Sequence, residues 1–230
     1  MCYAIAMNRF ILPIAILAAG IIIAGAVYIT KHTAVLHEIP AANPSLTASI
    51  TADDHVLGNP LAQTVFIEYS DIDCSYCKIF NKNLEMLVAN EGANGSIALV
   101  YRHFPIPDEN SYSFTHAEAA ECVAAQGGSK AFFAFIDAIA KAAPDNIFDP
   151  SEYDIILPAI GINRDTFNEC MQHHEFENRV SHDADAAIAS GGTGAPFTVV
   201  IQSGDTEPFT ISGAVSYDAL VQIARDIKNK

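Results

Sequence analysis

Short apolar runs and helical repeats alternate along most of this chain. Val65-Phe66-Ile67-Glu68-Tyr69 is almost wholly apolar and predicts a buried strand. Between residues 78 and 90, Phe80, Leu84, Leu87 and Val88 recur at helical spacing. Ile97-Ala98-Leu99-Val100 predicts a second strand, which His103-Phe104-Pro105-Ile106-Pro107 ends. The period then becomes helical for most of the next ninety residues. Residues 115–126 are Ala-rich and stop at Gly127-Gly128. Ser129 is a candidate cap for a helix over 130–142, and Phe132, Phe133, Phe135 and Ile136 read as its core face. Ser151 and Asp154 mark a helix start running to Gly161, Asn163 caps a helix over 164–173, and 175–190 reads as another. Strands return at 197–201 and 209–211 around Ser203-Gly204-Asp205, a hairpin turn. Ser216 caps a last amphipathic helix through Lys228. Residues 53–60 read as a polar turn, and no internal repeat is present. The order is strand–helix–strand, helical block, hairpin, helix.

One segment departs from this alternation. Residues 10–30 carry no charge and are rich in Ile, Ala, Leu and Val. A run of about 20 such residues spans a bilayer as a helix. The alternative is a cleaved signal peptide, with Ala24-Gly25-Ala26 as a passable site, although its apolar region usually runs only about 7–15 residues. Length favours an uncleaved anchor. Either reading exports the rest of the chain. Residues 1–30 are then an anchor and 31–51 a tether broken by Pro40, Asn43, Pro44 and Ser45. Residues 52–229 form one domain with a full core, including a helical insertion over about 112–191. The chain has 12 basic and 27 acidic residues, net charge −15. No basic patch appears, which argues against a nucleic-acid partner.

The chemistry lies where strand meets helix. Cys74-Ser75-Tyr76-Cys77 falls between the first strand and its helix, the layout of a redox-active dithiol. Cys74 sits at the positive end of the helix, which favours its thiolate and makes it the candidate nucleophile. Cys77 lies one turn in and reads as the buried resolving thiol. A structural disulfide or half of a zinc site is the bland alternative, with Cys170, His173 and His174 as the conceivable other half. Asp71 and Asp73 oppose the thiolate by charge and read as turn and cap residues. Glu68, inside an apolar strand, is expected to have a raised pKa. It relays protons to Cys77, or it is merely a strand-end carboxylate reaching solvent. His103, His116, His173, His174 and His182 form no ligand spacing, and His182 with Asp185 reads as a solvated face. Of five cysteines, Cys2 precedes the apolar span and stands alone. In an oxidising compartment Cys122 and Cys170 are expected to form a structural disulfide, the alternative being two buried thiols.

Three features now combine. They are the segment from Phe66 through Cys77, the loop Gly192-Thr193-Gly194-Ala195-Pro196-Phe197, and the helical block between them. Together they resemble the DsbA-like thiol:disulfide oxidoreductases over about residues 50–229. The resemblance implies an α/β, thioredoxin-like fold with an inserted helical domain, here preceded by an N-terminal transmembrane helix. It implies that Pro196 is the family's cis-proline, with Ser75, Tyr76 and Ala195 meeting the substrate. It also implies disulfide formation in reduced exported proteins through Cys74 and Cys77, without organic cofactor or metal, and reoxidation by a quinone-linked membrane partner. The catalytic domain would face the periplasm or cell exterior from a single-pass anchor. Many relatives have Pro after the first cysteine and Thr or Val before the cis-proline; Ser75 and Ala195 stand there instead. Both positions tune redox potential, so a reductase or isomerase remains an alternative. A non-catalytic chaperone or metal-binding module is a further one.

Overall fold

The computed structural model describes residues 49–107, 112–145, 147–204 and 208–228, all within the compact unit that begins at Ala42. The apolar span at 10–30 lies outside them. No helix among the described residues is long and apolar enough to cross a membrane.

Among the described residues, five strands form one mixed sheet. They are β1 (His55–Gly58), β2 (Thr64–Ser70), β3 (Ile97–His103), β4 (Phe197–Gln202) and β5 (Phe209–Ser212), in the order β1-β3-β2-β4-β5. β2 pairs parallel with β3 and antiparallel with β4. It is the central strand, and all seven of its residues are buried. That is why it reads as a continuous apolar run rather than an alternation. The period of two nevertheless sorts its side chains. Val65, Ile67 and Tyr69 join Ala98, Val100, Phe197 and Val199 in the core on one face. Phe66 joins Phe80, Leu84, Leu87, Leu99 and Tyr101 on the other. Glu68 shares the parity of Phe66 and so turns toward that second face.

The helices are α1 (Ser75–Asn90), α2 (Ser113–Ala142), α3 (Tyr153–Ala159), α4 (Arg164–His173), α5 (Glu177–Ala189) and α6 (Tyr217–Lys228). α2 to α5 lie between β3 and β4 in the chain. α2 is broken at Gly128, whose φ of 64° and ψ of −165° are non-helical; glycine tolerates such a conformation without a Cβ penalty. The Asn163 side chain accepts a hydrogen bond from the Thr166 N–H at 3.0 Å, capping α4. Cys122 on α2 and Cys170 on α4 are joined by a disulfide across 48 residues. Cys170 is therefore not available to a zinc site with His173 and His174, and no group that could hold a metal occurs among the described residues.

Three local expectations are corrected. Residues 53–60 are not all turn: β1 adds antiparallel to β3, His55 opposite Tyr101 through Gly58 opposite Ala98. Asp149, not Ser151, caps the helix start near 151. Its side chain accepts from the Ser151 N–H at 2.8 Å and opens a 3-10 turn over Pro150–Glu152 that leads into α3. Ser129 does not cap a helix start; its hydroxyl instead accepts from the Val56 N–H at 3.3 Å, tying α2 to β1.

Replacing Cys122 and Cys170 together by Ala is expected to cost about 2–4 kcal/mol, because the open loop regains chain entropy when unfolded. Guanidinium unfolding should show a lower midpoint with the Cys74 titration unmoved. An unchanged midpoint would mean the bond contributes nothing.

Candidate active site

The turn from β2 into α1 is fixed by side chains that replace missing backbone partners. Asp71 accepts from the Asp73 N–H through Oδ1 and from the Ile106 N–H through Oδ2, both at 2.8 Å. Asp73 accepts from the Tyr112 N–H at 2.8 Å. The Cys74 N–H donates to the Asp71 carbonyl at 3.2 Å. Asp71 and Asp73 are thus turn-builders, and both are buried.

This turn delivers Cys74 to the N-cap of α1, half-buried, with Cys77 buried in the first turn; both are free thiols. The Cys74 side chain makes no well-formed cap hydrogen bond. Its thiol is nonetheless lowered from the ordinary 9.0 to about 6. The Cys77 thiol donating to its sulfur is the leading cause. Burial works against the shift, the N–H groups of Cys77 and Tyr76 reinforce it, and the charge of Asp71 opposes it. No acidic residue occupies the first turn of α1, so nothing there cancels the helix dipole. Cys77 moves the opposite way. Burial pushes its thiol far up, and its donation to Cys74 adds to this. One thiol is therefore ionised at neutral pH and the other is not, a division suited to attack and resolution.

Glu68 lies fully buried beneath them. One carboxyl oxygen accepts from the Ser70 hydroxyl at 2.8 Å, the other from the Asn81 amide at 2.9 Å. Burial raises its pKa to about 7 despite both hydrogen bonds, and the Cys74 charge adds a little. It does not reach solvent, which removes the strand-end alternative. A cavity of about 20 Å³, the room of one water molecule, is lined by Ser70, Asn81, Tyr101 and Cys77 among others. Asn81 escaped the sequence reading, although it stands one helical turn after Cys77 on the same face of α1.

Ala195-Pro196 is a cis peptide. Phe197, the next residue, pairs with Tyr69 on β2, so Pro196 lies at the end of the sheet from which the motif springs. The Pro196 carbonyl accepts from the Gly213 N–H at 2.9 Å. Ala195 is half-buried and its main chain makes no hydrogen bond among the described residues. Ser75 is half-buried, and Tyr76 is 69% exposed.

Buried histidines that sequence spacing left without a role hold carboxylates. His116 Nδ1 lies 2.7 Å from Asp73 Oδ1. His103 and His55 both bring Nε2 to 2.9 Å from Glu121 Oε1. Their partners are 43, 18 and 66 residues away in sequence, so no local pattern could announce them.

The model of the Thioredoxin_4 family (thioredoxin) matches residues 51–212. The chain belongs to this family. Its fold is shared with alpha-DsbA1 of Wolbachia pipientis, at TM-score 0.68 and 20% identity over 80% of this chain and 95% of that one. BdbD of Bacillus subtilis matches at TM-score 0.65 and 18% identity, covering 77% of this chain and 94% of the other. At these identities the likeness establishes the fold, a thioredoxin fold of the DsbA type with its helical insertion. By sequence, the chain is 30% identical over 136 residues to Na(+)/H(+) antiporter NhaA 1 of Mycobacterium sp. (strain KMS). The matched stretch is 58% of this chain but only 21% of that protein, so the chain spans about a fifth of the length of such relatives.

Thiolate absorbance of the reduced domain should titrate with a midpoint near pH 6 and vanish in Cys74→Ser. Cys77→Ala should move the midpoint upward toward 9, because the main donor is lost. Because the folded value is depressed, the thiolate stabilises the reduced fold fully above pH 9, and this contribution is lost as pH falls through 6. A midpoint that Cys77→Ala leaves in place would contradict this account.

Proposed function

We propose that this protein forms disulfides in reduced, exported proteins by thiol–disulfide exchange through Cys74 and Cys77. The observation that carries the reading is the division between the two sulfurs: a half-buried free Cys74 at the N-cap of α1 and a buried free Cys77 in its first turn. A stabilised thiolate is a good leaving group, so the Cys74–Cys77 disulfide is readily donated.

In the oxidised protein, a substrate thiolate attacks Cys74 Sγ. A mixed disulfide forms and the bond to Cys77 breaks; the Cys77 sulfur leaves as thiolate and takes a proton. A second substrate thiolate then attacks the substrate sulfur of the mixed disulfide. The substrate gains its disulfide and loses two electrons, and Cys74 departs as a stable thiolate. The site is left as a dithiol, so a further oxidant must accept two electrons before the next cycle. We assign that role to a quinone-linked membrane partner.

Glu68, held in place by Asn81, supplies the Cys77 proton and takes it back on reoxidation, through the Ser70 hydroxyl and the small cavity beside Cys77. A carboxyl group titrating near pH 7 suits both directions at neutral pH. The unpaired main chain of Ala195 offers a strand-like edge to an extended substrate, whatever its sequence. Exposed Tyr76 and Ile79 add apolar contact beside the motif. The formed Cys122–Cys170 bond supports an oxidising compartment, hence a catalytic domain on the outer side of a membrane, anchored by residues 10–30. Nothing of ion transport is carried over from the antiporters, of which the match covers only about a fifth.

The test is equilibration of the described domain against glutathione, with substrate oxidation followed in parallel. The expected potential lies well above that of thioredoxin, about −270 mV. A potential near that value would overturn the oxidase direction in favour of a reductase. Cys74→Ser should abolish exchange, which a chaperone would not notice. Glu68→Gln should slow turnover by about 10–100-fold at pH 7; an unchanged rate would reject the proton relay.

A further inference from the structure

His116 plays no part in the exchange just described, yet it is fully buried against the side chain next to the nucleophile. A carboxylate can only accept, so the 2.7 Å contact is a hydrogen bond from His116 Nδ1–H to Asp73 Oδ1. The other oxygen of Asp73 accepts from the N–H of Tyr112, the residue that precedes α2. Both carboxyl oxygens are thereby turned onto the start of the helical block. His116 Nε2 is buried without a polar partner among the described residues. The rings of Tyr153, Tyr112 and Phe148 surround it, with centroids 5.7, 6.0 and 6.0 Å away. The ring's polar contact is thus with the side chain preceding Cys74.

The consequence lies in the field at the α1 terminus. Asp73 is covalently next to Cys74, and a carboxylate loose at that point would compete with the sulfur for the first-turn N–H groups and repel its charge. Asp71 opposes the Cys74 thiolate from within the turn, and Glu68 feels its charge from below. The other groups facing the pair are Lys78 from α1, Tyr153 from α3 and Asp149 before it. Lys78 Nζ donates to the Ala143 carbonyl at 2.7 Å, and Asp149 accepts from the Ser151 N–H. The short bond on Asp73 Oδ1 belongs to His116.

We propose that His116 is a positioning residue for thiol–disulfide exchange: it holds the Asp73 carboxylate on the start of α2, away from the start of α1, and so keeps Cys74 a good leaving group. The inference rests on the exchange reading. It makes the helical block part of the redox setting of the dithiol rather than only a cover over it.

The experiment uses the reduced and oxidised domain and reads two quantities, the Cys74 thiolate midpoint by ultraviolet absorbance and the equilibrium constant with glutathione. Neither depends on finding a substrate. If wild-type protein fails to oxidise substrates, the exchange reading falls; the effect of His116 on these two quantities still stands or falls by itself. His116→Phe fills the aromatic cage without a donor and is expected to raise the midpoint by about one pH unit. The disulfide should become about tenfold less oxidising. His116→Asn, which keeps a neutral donor near Nδ1, should stay close to wild type. Adding Asp73→Asn to His116→Phe should remove the shift, because no charge is left to stray. An unmoved midpoint in folded His116→Phe, or a shift that persists in the double variant, overturns the proposal. Should His116→Phe not fold, Asp73→Glu decides. It keeps the charge but carries it one methylene past Nδ1, and a midpoint equal to wild type then overturns the proposal.

Discussion

One juxtaposition organises this molecule, the half-buried Cys74 at the N-cap of α1 and the buried Cys77 in its first turn, close enough for each sulfur to set the proton affinity of the other. It requires two sulfurs of opposite character three residues apart. Cys77 must be buried enough to keep its proton, and Cys74 must stay open enough to meet a partner. Only a helix starting at the rim of a core gives both, since its first turn passes from solvent to interior within four residues. The start of α1 must therefore be fixed. β2 supplies the fixed point, central in the sheet and buried along its whole length. The Asp71 carboxylate joins the turn to both the helix start and the segment after β3.

That arrangement has a cost, concentrated at Glu68. A carboxylate in a fully buried strand lacks the solvation it would have in water, and two neutral hydrogen bonds do not restore it. An apolar residue there would fit the sheet better and make a more stable protein. Because its pKa is raised, the carboxyl group is tolerated when protonated, and its favourable contribution is lost as pH rises through about 7. Local sequence preference and global fold conflict at this one position of the strand. Conflicts of that kind gather where a protein works.

How much the chain revealed depends on how local each determinant is. β2 and β3 are buried on both faces and appear as unbroken apolar runs. α1 appears through Phe80, Leu84 and Leu87, and α4 through the cap at Asn163. The strand-to-helix setting of Cys74 and Cys77 is a local property and was equally plain. β1 was not, because four residues at a sheet edge carry no alternation and take their shape from the β3 backbone. Asn81 was within reach by counting one turn from Cys77. His116 was not, because its partner lies 43 residues away and only the docking of α2 brings them together. The same holds for Glu121, which receives His55 from β1 and His103 from β3 on a single oxygen.

The acidic composition gains a meaning from these contacts. A chain of net charge −15 is a poor place to keep a thiolate ionised. Beyond about 10 Å, salt screens the background, so the charges within that radius decide. Buried acids are occupied: Asp71 by backbone N–H groups, Asp73 by the Tyr112 N–H and His116, Glu68 by Ser70 and Asn81, Asp183 by the His103 N–H at 3.1 Å, and Glu121 by two imidazoles. Burial raises Glu121, but the hydrogen bonds from His103 and His55 outweigh it and hold the group well below the ordinary carboxylate range. Asp71, Asp73 and Asp183 thus complete the hydrogen bonding of backbone N–H groups and Glu121 ties β1 and β3 to α2, although the Asp71 charge still opposes the Cys74 thiolate. The positive end of α1 is left to the one sulfur that uses it.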